Sequence, residues 1–169
     1  MTRYGMLINT KKCVGCYACR MACQMINKLE PEEAFISYKE IEQGTYPSVY
    51  AETVPVQCMH CEDAPCEAVC PTHATYTTDS GVVLVDEERC IGCKYCYQAC
   101  PFGVPTYSSA AMASVTAAPW AARARATPRV APRPGKFGAL HFGTVDELLA
   151  QCPDAKVVEA STKPSFYLA

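Results

Sequence analysis

The spacing of the cysteines constrains this chain more than any other feature of its sequence. Twelve of the thirteen cysteines fall into three groups, and the last group is Cys90, Cys93, Cys96 and Cys100, followed by Pro101. Three cysteines separated by two residues each can surround one iron–sulfur cluster, whereas a fourth cysteine before a proline points towards a second cluster. This group therefore requires a partner elsewhere in the chain.

The partner group lies upstream and repeats the pattern with a wider second gap. Together the two groups offer eight thiolates, enough for two 4Fe-4S clusters. We expect crossed ligation, in which the lone cysteine of each group completes the triplet of the other. The predicted ligands are Cys58, Cys61, Cys66 and Cys100 for the first cluster, and Cys70, Cys90, Cys93 and Cys96 for the second.

Two other uses of closely spaced cysteines fit this pattern less well. A structural zinc site has four ligands, which come from two separated pairs of residues. Two groups that each contain three closely spaced cysteines and a fourth one would therefore contain thiols that zinc does not use. A disulfide framework suits small secreted domains, but thiols two residues apart form a poor bridge, and we expect no secretory signal before Tyr4. Iron–sulfur clusters are favoured, and their binding is expected to be coupled to folding.

A further cysteine group opens the chain, after a predicted strand at 4–8. Gly15 and Gly92 precede the second cysteine in the two groups of regular spacing, where a positive φ lets the backbone curve towards the sulfur atoms. A helix predicted at 20–28 carries the last cysteine of this group away from the other three. The members are Cys13, Cys16, Cys19 and Cys23.

The rest of the pattern mixes short strands and helices, which indicates an α+β fold. Thr144 and Glu147 have the spacing of a capping box, which predicts the start of a helix. Cys152 stands alone and is interpreted as a free thiol. The remaining predicted elements are a β insertion at 35–54, a hairpin with strands at 74–77 and 82–85, and a helix at 145–151.

The composition changes abruptly after the last cysteine group. No acidic residue occurs between Glu88 and Asp146, and Ala, Arg and Pro dominate 110–136. We interpret 107–137 as a linker, or as a segment read out of frame, because its length would accommodate a further cysteine motif. The predicted organisation is a cluster domain at 1–106, with its core at 58–101, this segment, and a C-terminal strand, helix and tail at 138–169. The net charge of −2 does not favour a nucleic-acid partner.

Taken with Tyr46-Pro47 and the run Gln57-Cys58-Met59-His60-Cys61, the motifs resemble the iron–sulfur subunits of the dimethyl sulfoxide reductase family, in particular the polysulfide or thiosulfate reductase type. The resemblance covers 4–106 and the tail at 163–168. It implies a double-ferredoxin fold with four cysteine motifs. It also implies electron transfer between a molybdopterin catalytic subunit and an integral-membrane quinone-binding subunit, with no catalytic residues in this chain. The resemblance further implies that these partners hold the chain at a membrane. The chain could be exported together with another subunit or remain on the cytoplasmic side, and both alternatives stay open.

The sequence departs from that family in lacking the fourth cysteine motif. Cys13, Cys16 and Cys19 then lack their fourth thiolate, and we expect them to hold a 3Fe-4S cluster or none. Cys23 becomes the remnant of a fourth site. The cysteines do not name the electron donor, so a formate dehydrogenase or hydrogenase partner, or a free ferredoxin-like shuttle, remains an alternative.

Overall fold

The secondary structure of the described residues is a mixture of short helices and strands. The computed structural model describes residues 3–27, 29–107, 112–113, 137–158 and 161–168. The helices are α1 (Ala18–Asn27), α2 (Pro65–Ala68), α3 (Tyr95–Ala99) and α4 (Val145–Gln151), and Thr10–Lys12 forms a 3₁₀ turn. The strands are β1 (Tyr4–Ile8), β2 (Ser37–Gln43), β3 (Tyr50–Val56), β4 (Thr75–Thr77), β5 (Val83–Val85), β6 (Thr106–Tyr107), β7 (Met112–Ala113), β8 (Leu140–Thr144), β9 (Lys156–Val157) and β10 (Phe166–Leu168).

Strand β1 lies inside a four-stranded sheet whose order is β8-β1-β10-β9. It runs antiparallel to β8 and parallel to β10, so both ends of the described chain share one sheet. Successive side chains of a strand point to opposite faces. Leu7 therefore packs with Leu148 of α4 on one face, whereas Met6 and Ile8 join the core on the other face, which also contains cysteines.

Helix α4 begins at the residue that the sequence predicted. The Thr144 hydroxyl accepts a hydrogen bond from the Glu147 N–H at 3.3 Å, and the Glu147 carboxylate accepts one from the Thr144 N–H at 3.0 Å. These two bonds satisfy backbone donors that the first turn of a helix leaves free. The predicted capping box and the helix at 145–151 are confirmed.

Two hairpins frame the cysteine groups. The predicted β4–β5 hairpin is confirmed, and its turn is closed by hydrogen bonds between Thr78 and Val82. The predicted β insertion is a longer hairpin, β2–β3, paired from Ser37↔Val56 at its base to Gln43↔Tyr50. At its base Pro55 and Val56 of β3 are buried, whereas β2 is exposed except for the partly buried Tyr38, so only this end of the hairpin contributes to the cysteine-containing core.

Most of the segment at 107–137 lies outside the described residues. Of this segment the structure describes residue 107, the short strand β7 and Phe137, and β7 pairs with β6. The interpretation of this segment as a linker or an out-of-frame stretch therefore stays a prediction. Within the part of the chain that is described, no helix is long and apolar enough to cross a membrane.

Candidate iron–sulfur cluster sites

The three cysteine loops share one unusual backbone shape. The residue before the second cysteine has a positive φ in each loop: +61° at Gly15, +43° at His60 and +68° at Gly92. The residue after that cysteine also has a positive φ in the two regular loops, at Tyr17 and Lys94. Residues other than glycine rarely adopt this conformation, which curls the chain tightly. The glycine conformations predicted from the sequence are confirmed.

His60 occupies the position that glycine takes in the other two loops. The Val83 N–H of β5 donates a hydrogen bond to His60 Nδ1 at 3.1 Å, and the Ser165 hydroxyl donates to the His60 carbonyl at 3.1 Å. Burial lowers the pKa of His60 to about 4, so the imidazole is neutral at physiological pH. His60 therefore links its cysteine loop to the β4–β5 hairpin and to the C-terminal segment.

The first cavity is the space lined by four thiols from both of the downstream cysteine groups. Its cysteines are those of one crossed set, and its other lining is apolar, including Val83, Phe102 and Val104. Thiolates are the ligands that iron–sulfur clusters take, so this donor set fits a four-iron cluster. The lining cysteines are Cys58, Cys61, Cys66 and Cys100.

Burial dominates the electrostatics of the first cavity. It raises the pKa of Cys58 well above the usual range, and it raises that of Cys66 to about 12, with neighbouring cysteines adding to both effects. The pKa of Cys61 is also raised by burial. Buried thiols without a cation nearby favour the protonated form, whereas a bound metal requires thiolates. Cluster binding in this cavity must therefore release protons.

The second cavity is lined by the other crossed set. The Cys70 thiol lies among backbone donors: burial raises its pKa, but the N–H of Thr75 and then the Thr72 hydroxyl and nearby backbone N–H groups outweigh burial and hold it at about 7. Val85 and Ile91 are among the apolar residues of the lining. This cavity also fits a four-thiolate cluster. Its cysteines are Cys70, Cys90, Cys93 and Cys96.

Helices α2 and α3 pack against each other and distribute thiols between the two cavities. Helix α2 carries Cys66, which lines the first cavity, and the chain after it brings Cys70 to the second. Helix α3 carries Cys96 to the second cavity, and Cys100 follows at its end in the first. Among the described residues no three Cys, His, Asp or Glu side chains converge on a single metal ion. Each set of four thiols instead surrounds a space.

The third cavity contains three thiols of the first cysteine group. Tyr38 of β2 lines this cavity, and its hydroxyl lies 2.9 Å from Cys19 Sγ. Burial and the Cys19 contact raise the pKa of Tyr38. The sequence offered no sign of this contact, because it joins a strand to the first turn of α1, nineteen residues away. The thiols in this cavity are those of Cys13, Cys16 and Cys19.

The two other cysteines lie apart from all three cavities. Cys23 is buried in the core, where the Asn27 amide donates to its carbonyl at 2.7 Å and to its sulfur at 3.3 Å. Burial raises the pKa of Cys23. Cys152 is a free, partly buried thiol beside Leu148 at the end of α4, as the sequence predicted. Neither thiol lines a cavity with other cysteines.

Comparisons with known proteins agree with this chemistry. Residues 49–126 match a family described as the 4Fe-4S dicluster domain. A selenate reductase subunit of Mesobacillus selenatarsenatis is 46% identical over 102 residues, covering 60% of this chain and 35% of that protein. A polypeptide of the anaerobic dimethyl sulfoxide reductase of Escherichia coli is 39% identical over 115 residues, covering 63% and 56%. The thiosulfate reductase electron transfer subunit of Salmonella typhi is 45% identical over 105 residues, covering 60% and 54%.

The chain thus spans from about a third to somewhat over half of the length of these curated relatives. The description of the matched family names two 4Fe-4S clusters, in agreement with the two cavities that are lined by four cysteines each. A ferredoxin-type domain of this kind also fits the mixed helix and strand content of the chain. The predicted resemblance is confirmed: this chain is similar in sequence to the iron–sulfur subunits of dimethyl sulfoxide, selenate, thiosulfate and arsenate reductases.

Proposed function

We propose that this chain is an electron-transfer subunit that holds two 4Fe-4S clusters in crossed ligation. One observation carries the proposal: two cavities, each lined by four thiols, adjoin the packed pair α2 and α3. Bound clusters supply one-electron chemistry, and the chain supplies ligands, burial and hydrogen bonds. The cluster ligands are Cys58, Cys61, Cys66 and Cys100 in the first cavity, and Cys70, Cys90, Cys93 and Cys96 in the second.

The two cavities differ in how strongly they exclude water. Each cavity has one buried cysteine, Cys61 in the first and Cys96 in the second, and the others are partly buried except for Cys93 of the second cavity, which is exposed. Burial disfavours the more negative, reduced state of a cluster. If their hydrogen bonds are otherwise equal, the first cluster therefore has the lower reduction potential. The second cluster, which is nearer to solvent, exchanges electrons with a redox partner.

Three large side chains in the third cysteine group are exposed, and one of them, Ile91, lines the second cavity. Ile91, Tyr95 and Tyr97 are 67%, 58% and 52% exposed. We propose that the surface around Ile91 faces a redox partner, because it lies directly beside the second cluster site. By analogy with the homologous reductase subunits, the partners are a molybdopterin catalytic subunit and a membrane quinone-binding subunit. The second partner would hold this chain at a membrane. The same analogy predicts a double-ferredoxin fold.

Serine substitution of single cysteines tests the crossed ligation. In anaerobically purified protein, we expect Cys100→Ser to damage the cluster of Cys58, Cys61 and Cys66, because it removes their fourth ligand. Iron and sulfide analysis and low-temperature paramagnetic resonance of the reduced protein measure the loss. Cys152→Ser is the matched control, because Cys152 lines none of the cavities, and it should leave the spectrum unchanged.

Two results would contradict the proposal. Loss of the second cluster alone in Cys100→Ser would mean that each cysteine group completes its own cluster. If zinc is the main metal of the wild-type protein, the proposed role in electron transfer is wrong, because zinc does not change its oxidation state. Co-purification with a candidate catalytic subunit then separates a docked subunit from a free shuttle, since only a docked subunit elutes with its partner.

A further inference from the structure

The third cavity offers three thiolates and cannot obtain a fourth from this chain. All thirteen cysteines are among the described residues. Eight line the first two cavities, Cys23 is buried beside Asn27, and Cys152 lies at the end of α4. Three thiols remain, on one loop and the start of α1, and they face a shared space. A cluster held there has one corner without a cysteine.

Tyr38 is positioned against this thiol triplet by the β2–β3 hairpin. It is the second residue of β2 and pairs with Pro55, which also lines the third cavity. Its hydroxyl oxygen lies 2.9 Å from Cys19 Sγ. The ring of Tyr17 packs on the ring of Tyr38, with centroids 4.2 Å apart. The half-buried ring is therefore held with its hydroxyl directed at the sulfur.

The direction of this hydrogen bond depends on what the sulfur binds. A free thiol and a phenol can each donate to the other. A thiolate bound to iron has no proton, so the phenol must donate. A donor to a cluster sulfur stabilises the more negative, reduced state and raises the reduction potential.

We propose that Cys13, Cys16 and Cys19 hold a 3Fe-4S cluster and that Tyr38 donates a hydrogen bond to the Cys19 thiolate, which raises the reduction potential of that cluster. This proposal rests on the proposed function, since it assumes that the chain receives iron–sulfur clusters. Tyr38 is a positioning residue here, because its hydroxyl contacts a ligand sulfur and acts on the cluster through it.

The matched test compares Tyr38→Phe with Tyr17→Phe. Tyr38→Phe keeps the ring and removes the donor to Cys19. Tyr17 lines the same cavity, but its hydroxyl donates to Glu40 at 3.4 Å, so Tyr17→Phe removes a hydroxyl of the same ring pair that does not bond a cysteine. An oxidised three-iron cluster is paramagnetic, whereas oxidised four-iron clusters of this type are not, so its signal can be titrated separately. We expect Tyr38→Phe to lower its midpoint potential and Tyr17→Phe to leave it unchanged.

Cys16→Ser assigns the signal, which must disappear while the two four-iron clusters keep theirs. If the wild-type protein contains both four-iron clusters but shows no three-iron signal, this inference is overturned and the proposed function stands. Absence of all iron–sulfur signals overturns the proposed function. An unchanged potential in Tyr38→Phe, or loss of the third cluster in that variant alone, also overturns the role given to Tyr38.

A second measurement detects the hydrogen bond directly and does not depend on the redox titration. After exchange into heavy water, we expect electron–nuclear resonance of the oxidised three-iron cluster to show a strongly coupled deuteron near one thiolate. The deuteron should be missing in Tyr38→Phe and present in Tyr17→Phe. An identical spectrum in all three proteins would assign the exchangeable hydrogen to another donor and overturn the proposal.

Discussion

Thr162 has a buried hydroxyl that lies near the Cys61 thiol but makes no well-formed hydrogen bond among the described residues. The backbone beside it is fixed, because the Asp63 N–H donates to the Thr162 carbonyl at 3.3 Å and the Glu62 N–H donates to the Lys163 carbonyl at 3.1 Å. Its hydroxyl acts to lower the pKa of Cys61, against the larger effect of burial. An unsatisfied buried hydroxyl costs about 1–3 kcal/mol. A metal-bound Cys61 thiolate is the acceptor that would remove this cost.

We therefore expect Thr162→Val to lower the midpoint potential of the first cluster, because it removes a donor to a ligand sulfur. Thr162→Ser is the control that keeps the hydroxyl and should keep the potential. A redox titration followed by paramagnetic resonance measures both. Equal midpoints in the valine and serine variants would show that the hydroxyl does not act on the cluster.

At the scale of single elements, the short helices α2 and α4 begin in different ways. Helix α4 depends on the reciprocal bonds between Thr144 and Glu147. Hydrogen bonds from the backbone and side chain of Thr144 lower the pKa of the exposed Glu147 carboxyl below its ordinary value of 4.5. Helix α2 has no such side-chain cap, and it begins instead with Pro65, whose fixed φ suits the first turn.

The lowered pKa of Glu147 predicts the pH dependence of α4. A depressed pKa in the folded state means that the stabilising contribution is fully present above pH 4.5 and is lost as the pH falls through the folded value. We expect amide protection of 145–151, corrected for intrinsic exchange, to fall over that range. Glu147→Gln keeps the capping geometry without the charge and should flatten this dependence. Parallel loss of protection in both proteins would exclude Glu147 as the cause.

At the scale of the whole molecule, β1 connects two separate cores. Met6 and Ile8 belong to the core that holds Cys23, Cys61 and other, partly buried cysteines, whereas Leu7 packs in the smaller core with Leu148. The β8 and β10 strands on either side bring the C-terminal part of the chain to the same sheet. We therefore expect damage to the cysteine-containing core to affect α4 through β1.

Cluster removal should unfold both cores together, because thiol binding of metal and folding are coupled in sites of this kind. We expect anaerobic treatment with an iron chelator to abolish amide protection in β1, in β4–β5 and in α4. Hydrogen exchange with mass detection measures all three, and the untreated protein is the control. Protection of α4 that survives loss of iron would show that the smaller core is independent.

The hypothesis about 107–137 also concerns the whole molecule. An out-of-frame segment preserves the length of a lost cysteine motif and changes its composition, whereas a deletion would shorten the chain. Resequencing the gene tests this hypothesis: a compensating pair of insertion and deletion that restores four cysteines in this interval would support it, and would also supply the fourth thiolate that the third cavity lacks in the present sequence. A confirmed frame, with near relatives that also lack these cysteines, would instead make the segment a genuine loop.

Much of this protein could be inferred from local patterns. The capping box, the β4–β5 hairpin and the positive φ of Gly15 and Gly92 depend on residues a few positions apart, so sequence spacing is sufficient to predict them. The cysteine spacing likewise indicated the resemblance that the homologues confirm. The crossed ligand sets stay a prediction.

Only the tertiary structure decided which distant segments meet. The parallel pairing of β1 with β10 joins Met6 to Phe166, and a three-residue strand is too short to show periodicity in sequence. The contacts of Tyr38 with Cys19 and of Thr162 with Cys61 depend on where a hairpin and a C-terminal segment pack. Such contacts leave no local pattern, because their geometry is set by the sheet and the core rather than by the residues beside them in the chain.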